Sequence, residues 1–173
     1  ELRASRIADE FKMNYIIKGN GDEYKYLDLI KATNSTVVVP LDFPLAYDVK
    51  DAYDASLIPL SKLMEWEYAP ANCSLLQQQG IPFVITSDDL KNSTDFLPNL
   101  RKAISYGLTA TQALKALTYT PASLLNMQNE IGSIAAGMKA DFIVTTDSVF
   151  NDDAIVAMNW VGGDRKSTRL NSS

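Results

Sequence analysis

Gly80-Ile81-Pro82-Phe83-Val84-Ile85-Thr86-Ser87-Asp88 is the stretch on which the fold turns. Gly80 follows a helical segment, residues 71–79, opened by Pro70, and stands where a helix C-cap belongs. Phe83-Val84-Ile85 is a short unbroken apolar run of the kind found in parallel strands covered on both faces, and the polar turn Thr86-Ser87-Asp88-Asp89 ends it. Upstream the same order recurs. Residues 2–11 space Leu2, Ile7, Ala8 and Phe11 for a helix and lead into the β-rich Tyr15-Ile16-Ile17-Lys18, closed by Gly19. Residues 22–32 return to helical spacing through Tyr26, Leu27, Leu29 and Ile30, ahead of Thr36-Val37-Val38-Val39. Repeated alternation of helix and strand predicts βαβ units sharing a parallel sheet, an α/β class.

Residues 42–67 form a long connection rich in Asp, Tyr and Pro, with one short helix expected near 60–66. Connections of that length are uncommon in compact domains and are often functional. Tyr47, Asp48, Tyr53, Asp54 and Trp66 are candidates to contact a ligand, or to pack the loop on itself. Downstream, Thr94 or Asp95 can cap a helix running to Tyr106, and Thr109 through Gln112 has the form of a capping box. Thr120-Pro121 repeats the cap-then-proline signal ahead of residues 122–127. After Gly132 the character shifts to short β segments at Ser133-Ile134, Phe142-Ile143-Val144 and residues 154–161, which marks a domain boundary.

Composition narrows the chemistry. A formal charge of -5 argues against nucleic acid, because phosphate neutralisation needs a basic patch. Small-molecule chemistry is the better expectation. No apolar run approaches the roughly 20 residues of a membrane helix, so the chain carries no membrane segment of that kind. The single Cys73 excludes an internal disulfide and reads as a structural residue on an apolar helix face. With no histidine at all, Ser-His-Asp catalysis and two-His-carboxylate metal sites are excluded from this chain, which leaves carboxylates, Lys and Tyr. A start at Glu1, without an initiator Met and partway through a helical pattern, sets the expectation that an upstream segment is missing; localisation therefore stays open.

Three stretches together resemble the amidohydrolase superfamily, in particular its imidazolonepropionase-like and cytosine-deaminase-like members. Residues 80–88 are similar to the family's last barrel strand, which ends in an aspartate. Gly107-Leu108-Thr109, Ala113-Leu114, Ala116-Leu117-Thr118 and Pro121-Ala122 resemble the helices that follow it. Gly132-Ser133-Ile134, Gly137 and Ala140-Asp141-Phe142-Ile143-Val144 resemble the return to a composite β-sandwich.

The resemblance implies that residues 1–130 are the C-terminal part of a (β/α)8 barrel of the TIM type, strands six to eight. Residues 131–163 would be the C-terminal segment of a composite β-sandwich. Residues 164–173 resemble one translated frame of a sequencing adapter and are set apart as a non-native tail. Asp88 then matches the aspartate that binds a divalent metal, usually zinc, and carries a proton from the attacking water to the leaving group. Lys18 stands where a metal-binding His is expected, and is a candidate to bind substrate instead. The function implied is hydrolysis of a non-peptide C–N bond, in a cyclic or linear amide or an amidine, by metal-activated water. This chain alone is expected to be inactive. The alternative is a non-catalytic barrel of the same type that binds a small ligand. Substrate and oligomeric state are not legible.

Overall fold

In the computed structural model the described residues are Ile7, residues 10–12 and residues 16–166. Of the helix expected over residues 2–11, Ile7, Glu10 and Phe11 are helical; its other residues, Tyr15 and residues 167–173 lie outside the described residues. The chain divides into two units, residues 1–113 and 114–173.

In the first unit the apolar runs form three parallel strands, β1 (Ile17–Lys18), β2 (Val37–Pro40) and β3 (Phe83–Thr86), in the order β1-β2-β3. Between β1 and β2 lie a 3-10 turn (Glu23–Lys25) and α1 (Leu27–Ala32). Between β2 and β3 come α2 (Ala52–Ser56), α3 (Leu60–Tyr68), a 3-10 turn (Ala69–Ala71) and α4 (Asn72–Gln78). The long connection thus contains two helices rather than the single one expected. The extra helix starts because the Asp51 carboxylate accepts from the Tyr53 and Asp54 N–H groups, at 2.7 and 3.3 Å, a cap hidden in an otherwise irregular sequence. After β3 a 3-10 turn (Ser93–Asp95) leads to α5 (Phe96–Ser105), and α6 (Ala110–Leu117) runs across the boundary between the units.

The entry into β3 shows how the sequence sets this geometry. Gly80, at φ 68°, ends α4 with its N–H on the Gln77 carbonyl, and the next N–H, of Ile81, returns to Leu76 at 3.0 Å. This two-bond exit satisfies carbonyls that a helix end leaves open, and both Ile81 and Leu76 are buried beside it. Gly107, at φ 102°, ends α5 by the same pair of bonds, to Ile104 and from Leu108 to Ala103. The core of the unit gathers Val37, Val39, Leu41, Leu76, Phe83 and Leu100, all buried. Asn99 ties α5 to the end of β2 by donating its side-chain N–H to the Leu41 carbonyl at 2.7 Å.

In the second unit α7 spans Tyr119–Leu124, three residues earlier than the cap at Thr120 suggested. The Thr118 carbonyl already accepts from Ala122, so Pro121 falls in the first turn, where its missing N–H costs no helix bond. Ser133-Ile134 is not a strand: Gly132 turns there at φ 92°, and Ile134 is exposed without a ladder partner. The other β segments do form. Strands β4 (Phe142–Thr145), β5 (Val156–Val161) and β6 (Asp164–Lys166) make an antiparallel sheet. Phe142 opposes Trp160 and the rings stack at 5.7 Å. Gly162 and Gly163, both at positive φ, make the tight turn between β5 and β6 that L side chains resist. The Gly162 N–H donates to the carboxylate of Asp141, the residue just ahead of β4. The first residues of the stretch set apart as a tail, Asp164–Lys166, are β6.

Candidate active site

Register decides which side chains can meet at the C-terminal ends of the parallel strands. Lys18 pairs with Val38, and Val38 with Val84. Cross-strand partners point to one face and side chains alternate along a strand, so Lys18, Val38 and Val84 share a face with Pro40 and Thr86, and Asp88 lies two residues beyond Thr86. Val37, Val39 and Phe83 belong to the opposite, buried face. β1 and β3 are not neighbours; two strand spacings, about 9–10 Å, separate them. Only a long side chain on β1 reaches the loop after β3.

Lys18 spans that gap. Its Nζ lies 2.5 Å from Asp88 Oδ2 and 2.8 Å from Asp89 Oδ2. The turn after β3 aims both carboxylates at it: the Asp88 N–H donates to Thr86 Oγ1 at 3.1 Å, the Leu90 N–H to the Ser87 carbonyl, and Asp89 takes φ 73°, a left-handed conformation that Asp tolerates better than most residues. The cluster faces solvent, with 38% of the Lys18 side chain and 65% of the Asp88 side chain exposed.

The electrostatics follow from this contact. The hydrogen bond from Lys18, and then its charge, hold the Asp88 carboxyl below the ordinary aspartate value. The hydrogen bonds to Asp88, then to Asp89, raise the Lys18 amine above the ordinary lysine value. At neutral pH the group is one ammonium between two carboxylates, so Lys18 is neither a nucleophile nor a base. It can hold a negative or carbonyl oxygen, and Asp88 can accept a proton only weakly while the ammonium stays on it.

Of the ligand-contact candidates in the long connection, Asp48 and the Asp54 backbone are engaged locally. Asp48 accepts from the Lys50 N–H, Tyr53 is exposed, and Trp66 is half-buried on α3. Asp54 lies in α2, its N–H on the Asp51 cap.

Two participants escape a reading of the sequence. Asp89 reads there as a turn residue, and the structure makes it a turn residue that also holds Lys18. Glu23 is the second. It is 1% exposed, its Oε1 accepts from the Asn20 and Gly21 N–H groups at 3.0 and 3.2 Å, and its Oε2 accepts from Asn72 Nδ2 at 2.5 Å. Asn72 in turn accepts from the Tyr24 N–H at 2.8 Å. This clamp fixes the loop after Lys18 to the start of α4. Asn20-x-x-Glu23 is the spacing of a capping box, the one signal that could have pointed to it.

Members of the amidohydrolase family typically depend on a metal. Asp88 and Asp89 offer hard oxygen donors, yet each already carries the Lys18 ammonium, which has no lone pair to give. Among the described residues no group of three or more His, Cys, Asp or Glu converges to hold an ion. The described residues, as arranged, do not by themselves fit a metal centre.

Comparison with known proteins gives a consistent family. The sequence pattern of the Amidohydrolase family matches residues 48–166, more than half of the chain. An adenine deaminase of Rhizobium meliloti is 34% identical over 90 residues, covering 47% of this chain and 15% of the deaminase. An imidazolonepropionase of Shewanella baltica is 35% identical over 72 residues, 39% of this chain and 18% of the enzyme. The crystal structure of an amidohydrolase from Thermotoga maritima superposes with a TM-score of 0.75 and 25% identity, over 97% of this chain and 40% of that one. The chain thus spans less than half the length of each of these proteins. By this match the chain belongs to the amidohydrolase family.

Proposed function

We propose that the whole protein containing this chain hydrolyses a non-peptide C–N bond of a small molecule, an amide or an amidine, at the C-terminal ends of its parallel strands. The observation that carries this reading is the position of Asp88, two residues past β3 on the face shared with Lys18, with both side chains open to a ligand. In this reading the sheet is the last three strands of a (β/α)8 barrel, whose catalytic groups collect at that end. The β4-β5-β6 sheet is then part of a composite β-sandwich. Relatives named as an adenine deaminase and an imidazolonepropionase support attack on a C–N bond in a nitrogen-containing ring or its substituent.

The chemistry available from this chain is specific. Water adds to the carbon of the C–N bond; Asp88 takes up its proton and returns it to the departing nitrogen. Lys18 binds an oxygen of the substrate, and doing so draws the ammonium from Asp88 and restores its basicity. The zinc implied by the resemblance has no ligand set among the described residues, so no step depends on it here.

The test is to assay the full-length protein on a panel of cyclic amides, N-acyl amino acids, amidines and aminopurines, beside Asp88→Asn. Turnover that vanishes in the variant supports the reading. Turnover retained by Asp88→Asn, or none from a folded full-length protein, removes it. The second reading, a non-catalytic barrel that binds a small ligand, is favoured by the ion pair on Asp88. Thermal stabilisation of the protein by panel members that are not turned over would select it.

A further inference from the structure

We infer that in this protein the Lys18 ammonium takes the place of a divalent ion on the Asp88 carboxylate, so that Asp88 is not a metal ligand. The inference rests on the family placement above and concerns what occupies its site. A zinc ion binds carboxylate oxygen at about 2.0–2.2 Å. The Lys18 Nζ stands 2.5 Å from Asp88 Oδ2 and 2.8 Å from Asp89 Oδ2. An ion on either oxygen would therefore stand less than about 5 Å from the ammonium, where the two cations repel and compete for the same oxygens.

The strand register fixes where the Lys18 side chain starts. Lys18 ends a strand whose next residue, Gly19, is buried and hydrogen-bonded to the Val38 carbonyl at 2.8 Å, and the following loop is clamped by Glu23 and Asn72. The base of the side chain is held, and its reach, added to that of the Asp88 and Asp89 side chains, closes the two strand spacings to the loop after β3. The charge count agrees: one ammonium between two carboxylates leaves a single net negative charge, against the two that an incoming divalent ion would find without Lys18.

The experiment measures metal content of the full-length protein and of Lys18→His, Asp88→Asn and the double variant, each dialysed against zinc alone and then buffer. The expected result is that Asp88→Asn leaves the zinc content of the wild type unchanged. Lys18→His gains zinc one-to-one, and the double variant loses that gain. Zinc in the wild type that Asp88→Asn releases would overturn the inference. So would a folded Lys18→His, matched to wild type by circular dichroism, that gains none. The comparison of wild type with Asp88→Asn stands even if Lys18→His does not fold. Metal content is read without any substrate, so a failed search for turnover and a failed inference give different results.

Discussion

Glu23 and Asp88 are both carboxylates set close to the end of β1, and they are stabilised in opposite ways. Glu23 is sealed from water, and its carboxyl oxygens accept from neutral donors, two backbone N–H groups and the Asn72 amide. Asp88 is open to water and holds a single ammonium. A buried carboxylate with its donors arranged by the fold is costly to disturb, because the donors lose water as well as their partner. An exposed ion pair contributes little to folding and is easily exchanged for another partner. The difference separates a structural carboxylate from one available for chemistry, and substitutions can test the separation from either side.

The largest effect is expected on catalysis at the open site. Asp88→Asn should lower kcat/KM of the full-length enzyme by about 10^2 to 10^4 if Asp88 is the proton carrier, the usual span for a lost acid-base group. The urea unfolding midpoint of the same variant should stay that of the wild type. A folded variant with wild-type turnover would place the chemistry elsewhere.

At the sealed site the order reverses. Glu23→Ala strands the Asn20 and Gly21 N–H groups and the Asn72 amide in a buried loop, and should cost about 3 kcal/mol in urea unfolding. Glu23→Gln keeps an oxygen for the Asn20 and Gly21 N–H groups but sets its own N–H group against the Asn72 donor, so it should lose less than Glu23→Ala while remaining less stable than the wild type. Equal losses for the two variants would show that volume rather than hydrogen bonding holds the loop.

How far each site was legible follows from the distance over which its contacts close. Gly80, the apolar run of β3 and Asp88 lie within nine residues, and local periodicity and turn chemistry are enough to place them. Asp51 as a helix cap was also local, but it sat in a connection whose Pro and Asp content resembles irregular loop. Lys18 and Asp88 are 70 positions apart, and Glu23 and Asn72 are 49 apart. Those contacts exist only once β1, β2 and β3 have taken their register, which no window of sequence contains. Glu23 was further hidden because a carboxylate in a loop reads as solvated until its burial is seen.

Cys73 extends the comparison, since it lies in α4 next to Asn72. Burial, and then the negative charge of Glu23, push its thiol from 9.0 to about 12. The folded state therefore holds this proton more tightly than the unfolded chain does. The resulting stability is complete below pH 9.0 and is lost as pH climbs toward about 12. The urea midpoint of the wild type should fall over that range by more than that of Cys73→Ala, with the two running parallel at pH 6 to 8. Parallel curves throughout would mean that the thiol reaches water in the folded protein.

The smallest expected effect is the one most informative about the open site. Lys18→Met removes the ammonium but keeps much of the length and apolar stem of the side chain, and leaves the backbone pairing with Val38 in place. The pair it breaks is exposed, and its net worth to folding is limited by solvent and by the ordering of a long side chain. Two carboxylates, Asp88 and Asp89, would then face each other without a cation, and salt should screen them. The variant should accordingly unfold close to the wild-type midpoint at high ionic strength and slightly below it at low ionic strength. A large loss at both would mean that Lys18 is a structural residue like Glu23, and would remove the distinction between the two carboxylate sites on which its exchange for substrate depends.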